Sequence, residues 1–262
     1  QAPGHDSEMM LKPCRVYRWE DNHFFVLSEV YNTVGTPHFS NLRSKLRNES
    51  QKFSSEEFWW GFEQEYFLTS GWRPLGFPDN GYPPPQGLYY CGVGSNQAVG
   101  RKLVEMHLRK CLSMGIELTG TNAEVALGQW EYQCFAKDTI KACDDLWISR
   151  YVLYRMSEDF GWGIDLNPKP IQGDWNGSGC HTNFSTTWMR NGTGGKDRFV
   201  SLMQKMENRH REHIQGYGDG NDKRLTGAHE TQRIDKFSWG VGDRGASIRI
   251  PNSVEQSGWK GY

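Results

Sequence analysis

FWWGFEQEYFL, residues 58–68, is the stretch of this chain from which an interior strand can be predicted. Its aromatic and aliphatic side chains favour a pleated strand, and a strand that is hydrophobic on both faces usually lies inside a protein. Successive strand residues point to opposite faces, so Glu63 and Glu65 share one face. Two buried carboxylates repel each other and require partners. The stretch therefore predicts a cation site, and a solvated strand face is the alternative.

A second acidic pair lies in NAEVALGQWEYQ, residues 122–133. Within it Gln129, Glu131 and Gln133 share one strand face. Glu124 and Glu131 are an odd number of residues apart, so an uninterrupted strand would point them to opposite sides. If both serve one site, the backbone must bend or bulge near Leu127 and Gly128.

A glycine-containing turn, DWNGSGCHTNFST at residues 174–186, precedes a predicted polar strand. Gly177 and Gly179 allow the backbone to approach a ligand closely, and His181 offers a ring nitrogen to a metal or a substrate. The alternative is a histidine that is satisfied within its own loop. Four glutamates and one histidine are hard or borderline ligands, which favour Mg²⁺ or Mn²⁺ over zinc or copper.

Three arginines in the carboxyl-terminal part add positive charge to this set. Arg224 precedes LTGAHET, and Arg244 and Arg249 lie in RGASIR, a predicted strand that Pro251 ends. Guanidinium groups bind carboxylate and phosphate through paired donors. Together with divalent ions they favour phosphoryl chemistry, although each arginine alone is typical of a surface. The sequence has no glycine-rich Walker motif.

Helices alternate with the aromatic strands, which predicts the α+β class. Phe24–Val30 is a predicted strand, and a helix is expected near Asn41. Helical spacing of apolar residues predicts three more helices. The first carries Val104, Leu108, Cys111 and Leu112 and ends at Gly115. The second carries Trp147, Tyr151 and Tyr154 and ends at Gly161. The third carries Phe199, Leu202, Met203 and Met206 and ends by Gly216.

Composition narrows the class of protein. The 262 residues are 36% hydrophobic and carry a formal net charge of -1, so no basic field indicates binding to nucleic acid or to an anionic membrane. No apolar stretch approaches the roughly 20 residues of a membrane helix. Six cysteines without a CxxC pair favour reduced thiols and a cytoplasmic protein. The sequons at Asn48, Asn176, Asn183 and Asn191 keep secretion open as the alternative.

The motifs together resemble glutamine synthetase of the eukaryotic type along nearly the whole chain. They are FEQEY (62–66), YYCGVG (89–94), NAEV with GQWEYQ (122–133), NPKPI (167–171), NGSGCHTNFST (176–186), RLTGAHET (224–231) and RGASIRIP (244–251). The resemblance implies an enzyme in which ATP phosphorylates the γ-carboxylate of L-glutamate and ammonia displaces the phosphate, giving L-glutamine.

The resemblance also implies the metal and catalytic residues. Glu65, Glu124 and Glu131 would hold one Mg²⁺ or Mn²⁺, and Glu63 and His181 would help to hold a second beside the ATP phosphates. Arg244 and Arg249 would stabilise the transferring phosphoryl group. Glu230 would be the carboxylate of a flap that closes over the intermediate.

The substrate contacts follow from the same motifs. Asn176 and Gly177 would position glutamate, with Arg224 on its carboxylate, and Arg244 would contact both substrate and nucleotide. The nucleotide would lie along Asn183, Phe184 and Ser185, with Tyr262 beside the adenine.

The implied fold is the glutamine synthetase catalytic fold, an antiparallel sheet flanked by helices, over residues 39–262. Residues 1–38 would be the carboxyl-terminal part of an amino-terminal β-grasp domain. The implied assembly is a homodecamer of two pentameric rings with active sites between subunits, located in the cytoplasm or alternatively in a mitochondrion or plastid.

Several departures from the family pattern affect these expectations. The chain begins after the segment that carries the family's ammonium-binding aspartate, and it stops at KGY, before a further glutamate ligand and an arginine. CFAKDT at 134–139 replaces a glycine and proline pair, and Ala126 and Leu127 replace a methionine and proline pair. A noncatalytic structural or regulatory relative is therefore an alternative, and a secreted carbohydrate-binding protein is a third reading.

Overall fold

A computed structural model of the chain describes residue 4 and residues 7–262. The strands are β1 (Met10–Glu20), β2 (His23–Tyr31), β3 (Trp59–Ser70), β4 (Arg73–Pro74), β5 (Leu118–Ala123), β6 (Gln129–Ala136), β7 (Gly163–Asp165), β8 (Cys180–Ser185), β9 (Trp239–Val241) and β10 (Ile248–Ile250). The α-helices are α1 (Leu42–Lys52), α2 (Arg101–Ser113), α3 (Thr139–Glu158), α4 (Thr187–Asn191), α5 (Gly195–Asn208), α6 (His210–Gly216), α7 (Asn221–Arg224) and α8 (Asn252–Gln256). The α+β architecture predicted from the sequence is confirmed.

Strand β3 is the centre of an antiparallel sheet. It pairs with β6 and, beyond the end of β6, with β4 along one edge, and with β8 and β7 along the other. Strand β5 lies outside β6. The register places Glu65 opposite Glu131 and Glu63 opposite His181. Residues directly opposite each other in an antiparallel pair share a face. Pairing alone therefore brings four of the predicted ligands to one side of the sheet.

The other face of the sheet packs against α2 and α3 to form the main core. Tyr66 and Tyr132 are fully buried there, and the Tyr132 hydroxyl lies 2.8 Å from Oγ of Ser149 in α3. Gln64 points the same way, and its Oε1 accepts a hydrogen bond of 2.8 Å from Nε of Arg150. The helices thus support the sheet from behind and leave the carboxylate face free.

The predicted bend near Leu127 and Gly128 is a tight turn between β5 and β6. Gly128 has a φ of 81°, in the left-handed region, and a Cβ at this position would lie 2.6 Å from the carbonyl oxygen of Leu75. The Glu124 amide closes the turn by donating to the Gln129 carbonyl at 2.9 Å. The reversal brings Glu124 to the same side as Glu131, so the prediction is confirmed.

Two of the predicted helices differ from the structure in detail. Trp147, Tyr151 and Tyr154 lie in α3 as expected, but this aromatic stripe is the exposed side of the helix, and the buried side carries residues such as Val152 and Leu153. The helix predicted to end by Gly216 is broken at Arg209 into α5 and α6. At the break the ring of His210 turns to the Ile234 carbonyl, 2.9 Å away, a tertiary contact that the helical pattern does not encode.

Among the described residues no helix is both long and apolar enough to cross a membrane.

A buried ion network joins the β1–β2 hairpin to α1 and α3. Arg43 of α1 lies 2.6 Å from Glu29 in β2 and 2.8 Å from Asp144 in α3, and Arg15 of β1 lies 2.7 Å from Asp144. Burial raises the pKa of Glu29, but hydrogen bonds from Arg47, Tyr31 and Arg43 outweigh it and lower the pKa to about 2. Glu29 and Asp144 are almost inaccessible, so both depend on their arginines for compensation.

Replacing Arg43 with methionine should destabilise the protein by about 3 kcal/mol, because two buried carboxylates lose a shared partner. The free energy of unfolding in urea measures the change. Arg18→Met is the matched control, since the Arg18–Asp21 pair is mostly exposed and should contribute less than about 1 kcal/mol. Equal effects of the two substitutions would show that the network does not hold the hairpin.

Candidate functional site

Two groups of potential metal ligands lie side by side on the free face of the sheet. One consists of Glu65, Glu124 and Glu131, and the other of Glu63, Glu131 and His181. Within each group one ligand atom per residue lies within 4.8 Å of the others. Glu131 belongs to both groups, so β3, β6, β8 and the β5–β6 turn contribute to one continuous site.

The first group is almost completely enclosed. Glu65, Glu124 and Glu131 are all less than a tenth exposed. Burial, followed by repulsion from Glu65 and Glu131, raises the pKa of Glu124 to about 8. Burial and the nearby Glu63 raise the pKa of Glu131 to about 7. Carboxylates so close together at neutral pH require a compensating positive charge.

The second group is more open and already has partial compensation. Nδ1 of His181 lies 3.3 Å from Oε2 of Glu63, and the Asn183 amide donates to Oε1 of Glu63 at 2.9 Å. The contact with His181 lowers the pKa of Glu63 to about 2 despite burial, and Asn183 adds to the effect. The same contact raises the pKa of His181. Glu63 is therefore ionised throughout the neutral range.

Neighbouring polar groups orient the carboxylates. The Gly179 amide donates to Oε2 of Glu65, and Nδ2 of Asn122 donates to Oε1 of Glu124 at 2.9 Å. Nε2 of Gln133 donates both to Glu131 and to Oδ1 of Asn122, the latter at 3.0 Å. Side chains held in this way present their remaining oxygens to a common point.

The donor set fits divalent ions of the Mg²⁺ and Mn²⁺ class. It is made of carboxylate oxygens with one imidazole and without a thiolate, which suits hard cations. The raised pKa values of Glu124 and Glu131 are a physical sign of uncompensated negative charge. These residues would hold divalent ions, with Glu131 belonging to both ligand groups.

The predicted glutamate-binding residues meet beside this cluster. The Arg224 stem packs across the glycine turn, where a Cβ at Gly177 would lie 2.6 Å from Cγ of Arg224 and a Cβ at Gly179 would lie 2.7 Å from Nη2. Nη2 of Arg224 is also 3.4 Å from Nε2 of His181. Asn176 accepts a hydrogen bond from Gln86 at 2.9 Å. Both glycines are therefore required for the arginine to reach the site.

The predicted catalytic arginines lie at the open side. Nη1 of Arg244 is 3.5 Å from Oε2 of Glu230, and both side chains are more than half exposed. A hydrogen bond with Tyr90, followed by the charge of Glu230, raises the pKa of Arg244. The positive charge of Arg249 is close enough to help lower the pKa of Glu63.

The predicted nucleotide contacts are distributed over both faces of β8. Asn183 lies opposite Gly61 on the carboxylate face, and the Tyr262 hydroxyl lies so close over Gly61 that a Cβ there would collide with it. Phe184 turns to the other face and packs against Phe58 and Trp60. The Phe184 side chain therefore points away from the carboxylate face, and only its backbone is available to a nucleotide.

Ser185 shares the face of Asn183 but is only 1% exposed. Its hydroxyl oxygen accepts a hydrogen bond of 3.0 Å from Nη1 of Arg190. The Ser185 hydroxyl is therefore already hydrogen-bonded within the protein, to Arg190.

The sequence patterns did not single out several residues that the site uses. Asn122 lies opposite Glu131 in the β5–β6 register, which a pattern without strand pairing does not reveal. Gln129 donates from Nε2 to the Gly177 carbonyl at 3.0 Å and so connects β6 to the glycine turn. Its only signal in the sequence was the face it shares with Glu131. His229, next to Glu230, contacts Asp174 at 3.1 Å.

Comparison with known proteins relates the chain to one family. Residues 40–208 match the family model described as glutamine synthetase, catalytic domain. The chain is 48% identical to the glutamine synthetase of Yarrowia lipolytica, with 100% of the chain and 72% of that protein aligned. It is 50% identical to that of Emericella nidulans, covering 74% of it. It is 47% identical to a cytosolic isozyme of Pinus sylvestris, covering 75% of it.

A solved structure shows the same fold. The cryoEM structure of Plasmodium falciparum glutamine synthetase superposes with a TM-score of 0.77 at 16% sequence identity. The match covers 96% of the chain and 57% of the Plasmodium chain. The predicted glutamine synthetase catalytic fold is thereby confirmed.

The shared position of Glu131 predicts a specific pattern of metal stoichiometry. We expect two Mn²⁺ ions per chain in the full-length protein, one in Glu124→Gln and one in His181→Asn. Glu131→Gln should weaken both sites, because it removes a charged ligand from each. Calorimetric titration with Mn²⁺ measures the number of sites, and Glu105→Gln on the exposed side of α2 is the control. Loss of only one ion in Glu131→Gln would contradict the shared ligand.

The raised pKa values predict how the stability of the metal-free protein depends on pH. Glu124 has an ordinary pKa of 4.5 and a folded value of about 8, so the folded state binds more protons between these values. Its free energy of unfolding should therefore fall as pH rises from about 4.5 to 8. Glu131 acts in the same sense up to about 7.

Thermal unfolding in EDTA across this range tests the expectation, and added Mg²⁺ should restore stability most at the alkaline end. Glu124→Gln should flatten the profile. Stability that rises with pH in EDTA would be inconsistent with carboxylates buried beside one another.

Proposed function

The chain belongs to the glutamine synthetase family, and we propose that its paired clusters hold the divalent ions used in the ATP-dependent ligation of ammonia to L-glutamate. The observation that carries this proposal is the convergence of Glu63, Glu65, Glu124, Glu131 and His181 on one sheet face. The noncatalytic alternative has no comparable support, because the ligand groups are present as two adjacent sets.

The proposed reaction has two steps. An oxygen of the glutamate γ-carboxylate attacks the γ-phosphorus of ATP, and ADP leaves. Ammonia then attacks the γ-carbonyl carbon of the γ-glutamyl phosphate, and phosphate leaves to give glutamine. When bound, the divalent ions neutralise the phosphate charge that opposes the first step.

The arginines act on the phosphoryl group. Arg249 lies close enough for its charge to act at Glu63, and Arg244 is held at the open side by Glu230 and Tyr90. Their guanidinium groups would bind the oxygens of the transferring phosphoryl group and stabilise the charge that develops on them.

Glutamate would bind between the glycine turn and the cluster. Arg224, which packs on Gly177 and Gly179, would pair with its carboxylate, and Asn176 and the Gly177 backbone would orient it. Glu230 lies on the facing loop and would close over the intermediate.

The nucleotide would extend from the metals along β8. Successive residues on one strand face are about 7 Å apart, so Asn183 lies one such step beyond His181 toward Trp59. Tyr262, in contact with Trp59 and Phe135, would flank the base.

The ligand atoms and the relatives bear on the metal, the assembly and the location of the protein. The mixed oxygen and imidazole ligands favour Mg²⁺ or Mn²⁺. We propose a decamer of two pentameric rings, as the family resemblance implies. We also propose that the protein lies in the cytoplasm, which the cytosolic isozyme of Pinus sylvestris among the relatives supports. The proposed domain boundary at residue 38 is supported by the β1–β2 hairpin, which ends before α1 begins. Of residues 1–38, the structure describes residue 4 and residues 7–38.

We expect the full-length protein with Mg²⁺, ATP, glutamate and ammonia to release one phosphate for each glutamine formed. Arg249→Ala should lower kcat by about 100-fold, because a donor to the developing charge is lost. Arg155→Ala, at an exposed pair on α3, is the control and should leave kcat unchanged. A folded, metal-loaded protein that forms no glutamine would contradict the proposal.

A further inference from the structure

The loop of residues 224–234 has a closed base. Thr226 and Arg233 form a β-bridge, and the Ile234 amide donates to the Leu225 carbonyl at 2.9 Å. The Thr231 hydroxyl is buried and lies 2.8 Å from the Ala228 carbonyl and 3.2 Å from that of Arg224. These contacts fix the base of the loop, and residues 227–230 form its tip.

The tip holds an unfavourable backbone conformation. His229 has a φ of 53° and Glu230 a φ of 59°, both in the left-handed region that residues other than glycine rarely adopt. Outside glycine this conformation brings Cβ too close to the following carbonyl oxygen and is unfavourable. Two in succession persist only where contacts at the tip compensate.

Two side-chain contacts at the tip can compensate for this unfavourable backbone conformation. His229 Nε2 lies 3.1 Å from Oδ1 of Asp174, and Glu230 Oε2 lies 3.5 Å from Nη1 of Arg244. The His229 side chain is 21% exposed, against 57% for Glu230. The contact with Asp174 is thus the shorter of the two, and His229 is the more enclosed of the two tip residues, while Asp174 itself is 79% exposed.

Asp174 belongs to the turn that carries the glutamate-positioning residues. Asn176 follows two residues later, and the Gly177 carbonyl is bound by Gln129. The Ser178 amide donates to the Pro168 carbonyl at 2.9 Å, which anchors the turn to the segment before it in the chain. The His229–Asp174 contact therefore joins the tip to an anchored segment of the site.

We propose that His229 and Asp174 are positioning residues that dock the 227–230 tip on the 174–179 turn and so hold Glu230 over the reacting carbonyl. The inference rests on the proposed function. In the docked state ammonia, rather than water, attacks the γ-glutamyl phosphate. If the tip is released, water attacks the same carbonyl carbon, phosphate leaves, and glutamate is regenerated while ADP has already formed.

The test is the ratio of ADP to glutamine produced by the full-length protein with Mg²⁺. Asp174→Ala and His229→Asn should each raise this ratio from one to about two or more and lower kcat by about tenfold. Asparagine at position 229 tolerates the left-handed backbone, so the substitution shortens the side chain without adding strain. The double variant should be no worse than either single variant, because both remove one contact.

Asp174→Asn is the conservative variant and should recover much of the coupling, since an amide oxygen still accepts from the imidazole. His23→Asn, at an exposed histidine of the β1–β2 turn, is the matched control. Cleavage after Glu230 by a glutamate-specific protease gives a readout independent of activity, and it should accelerate in Asp174→Ala.

The outcomes separate the two claims. A ratio that stays at one in Asp174→Ala and His229→Asn, while the unaltered protein forms glutamine, would overturn the docking role alone. Additive losses in the double variant, or an unchanged rate of cleavage after Glu230 in Asp174→Ala, would do the same. An unaltered protein that forms no glutamine would instead overturn the proposed function together with this inference.

Discussion

Repulsion among buried carboxylates is the constraint on which the rest of the structure depends. Glu65, Glu124 and Glu131 lie within one ligand group, and Glu63 adjoins them through Glu131. Bringing these charges together is unfavourable in the metal-free protein, as the raised pKa values of Glu124 and Glu131 indicate. The arrangement is therefore stable only because strand pairing and the packed helices behind the sheet hold it in place.

The fold provides that support from several directions. The β3–β6 and β3–β8 registers align the ligands in rows, and Tyr66 and Tyr132 fill the opposite face. Gly128 permits the turn that returns Glu124 to the cluster, and Gly177 and Gly179 leave room for Arg224. Each glycine serves a close approach that any side chain would obstruct. Rigidity behind the sheet thus complements the more open loops that face the substrates.

The strand patterns in the sequence predicted the metal-ligating residues more completely than the residues that surround and orient them. Alternation placed Glu63 with Glu65, and the odd spacing of Glu124 and Glu131 predicted the bend at Gly128. The roles of Asn122 and Asp174 depend on strand register and on contacts between distant loops, which no local pattern encodes. The apolar spacing of α3 identified a stripe that the structure leaves exposed, because periodicity identifies a face without showing which face is covered. The catalytic roles of the arginines came from family resemblance rather than from spacing.

The most direct test of a shared carboxylate is the anomalous scattering of Mn²⁺ in crystals of the full-length protein. The account predicts two peaks per chain on the free face of the sheet, both in contact with Glu131, one beside Glu65 and Glu124 and the other beside Glu63 and His181. A single peak, or peaks that do not contact Glu131, would contradict it.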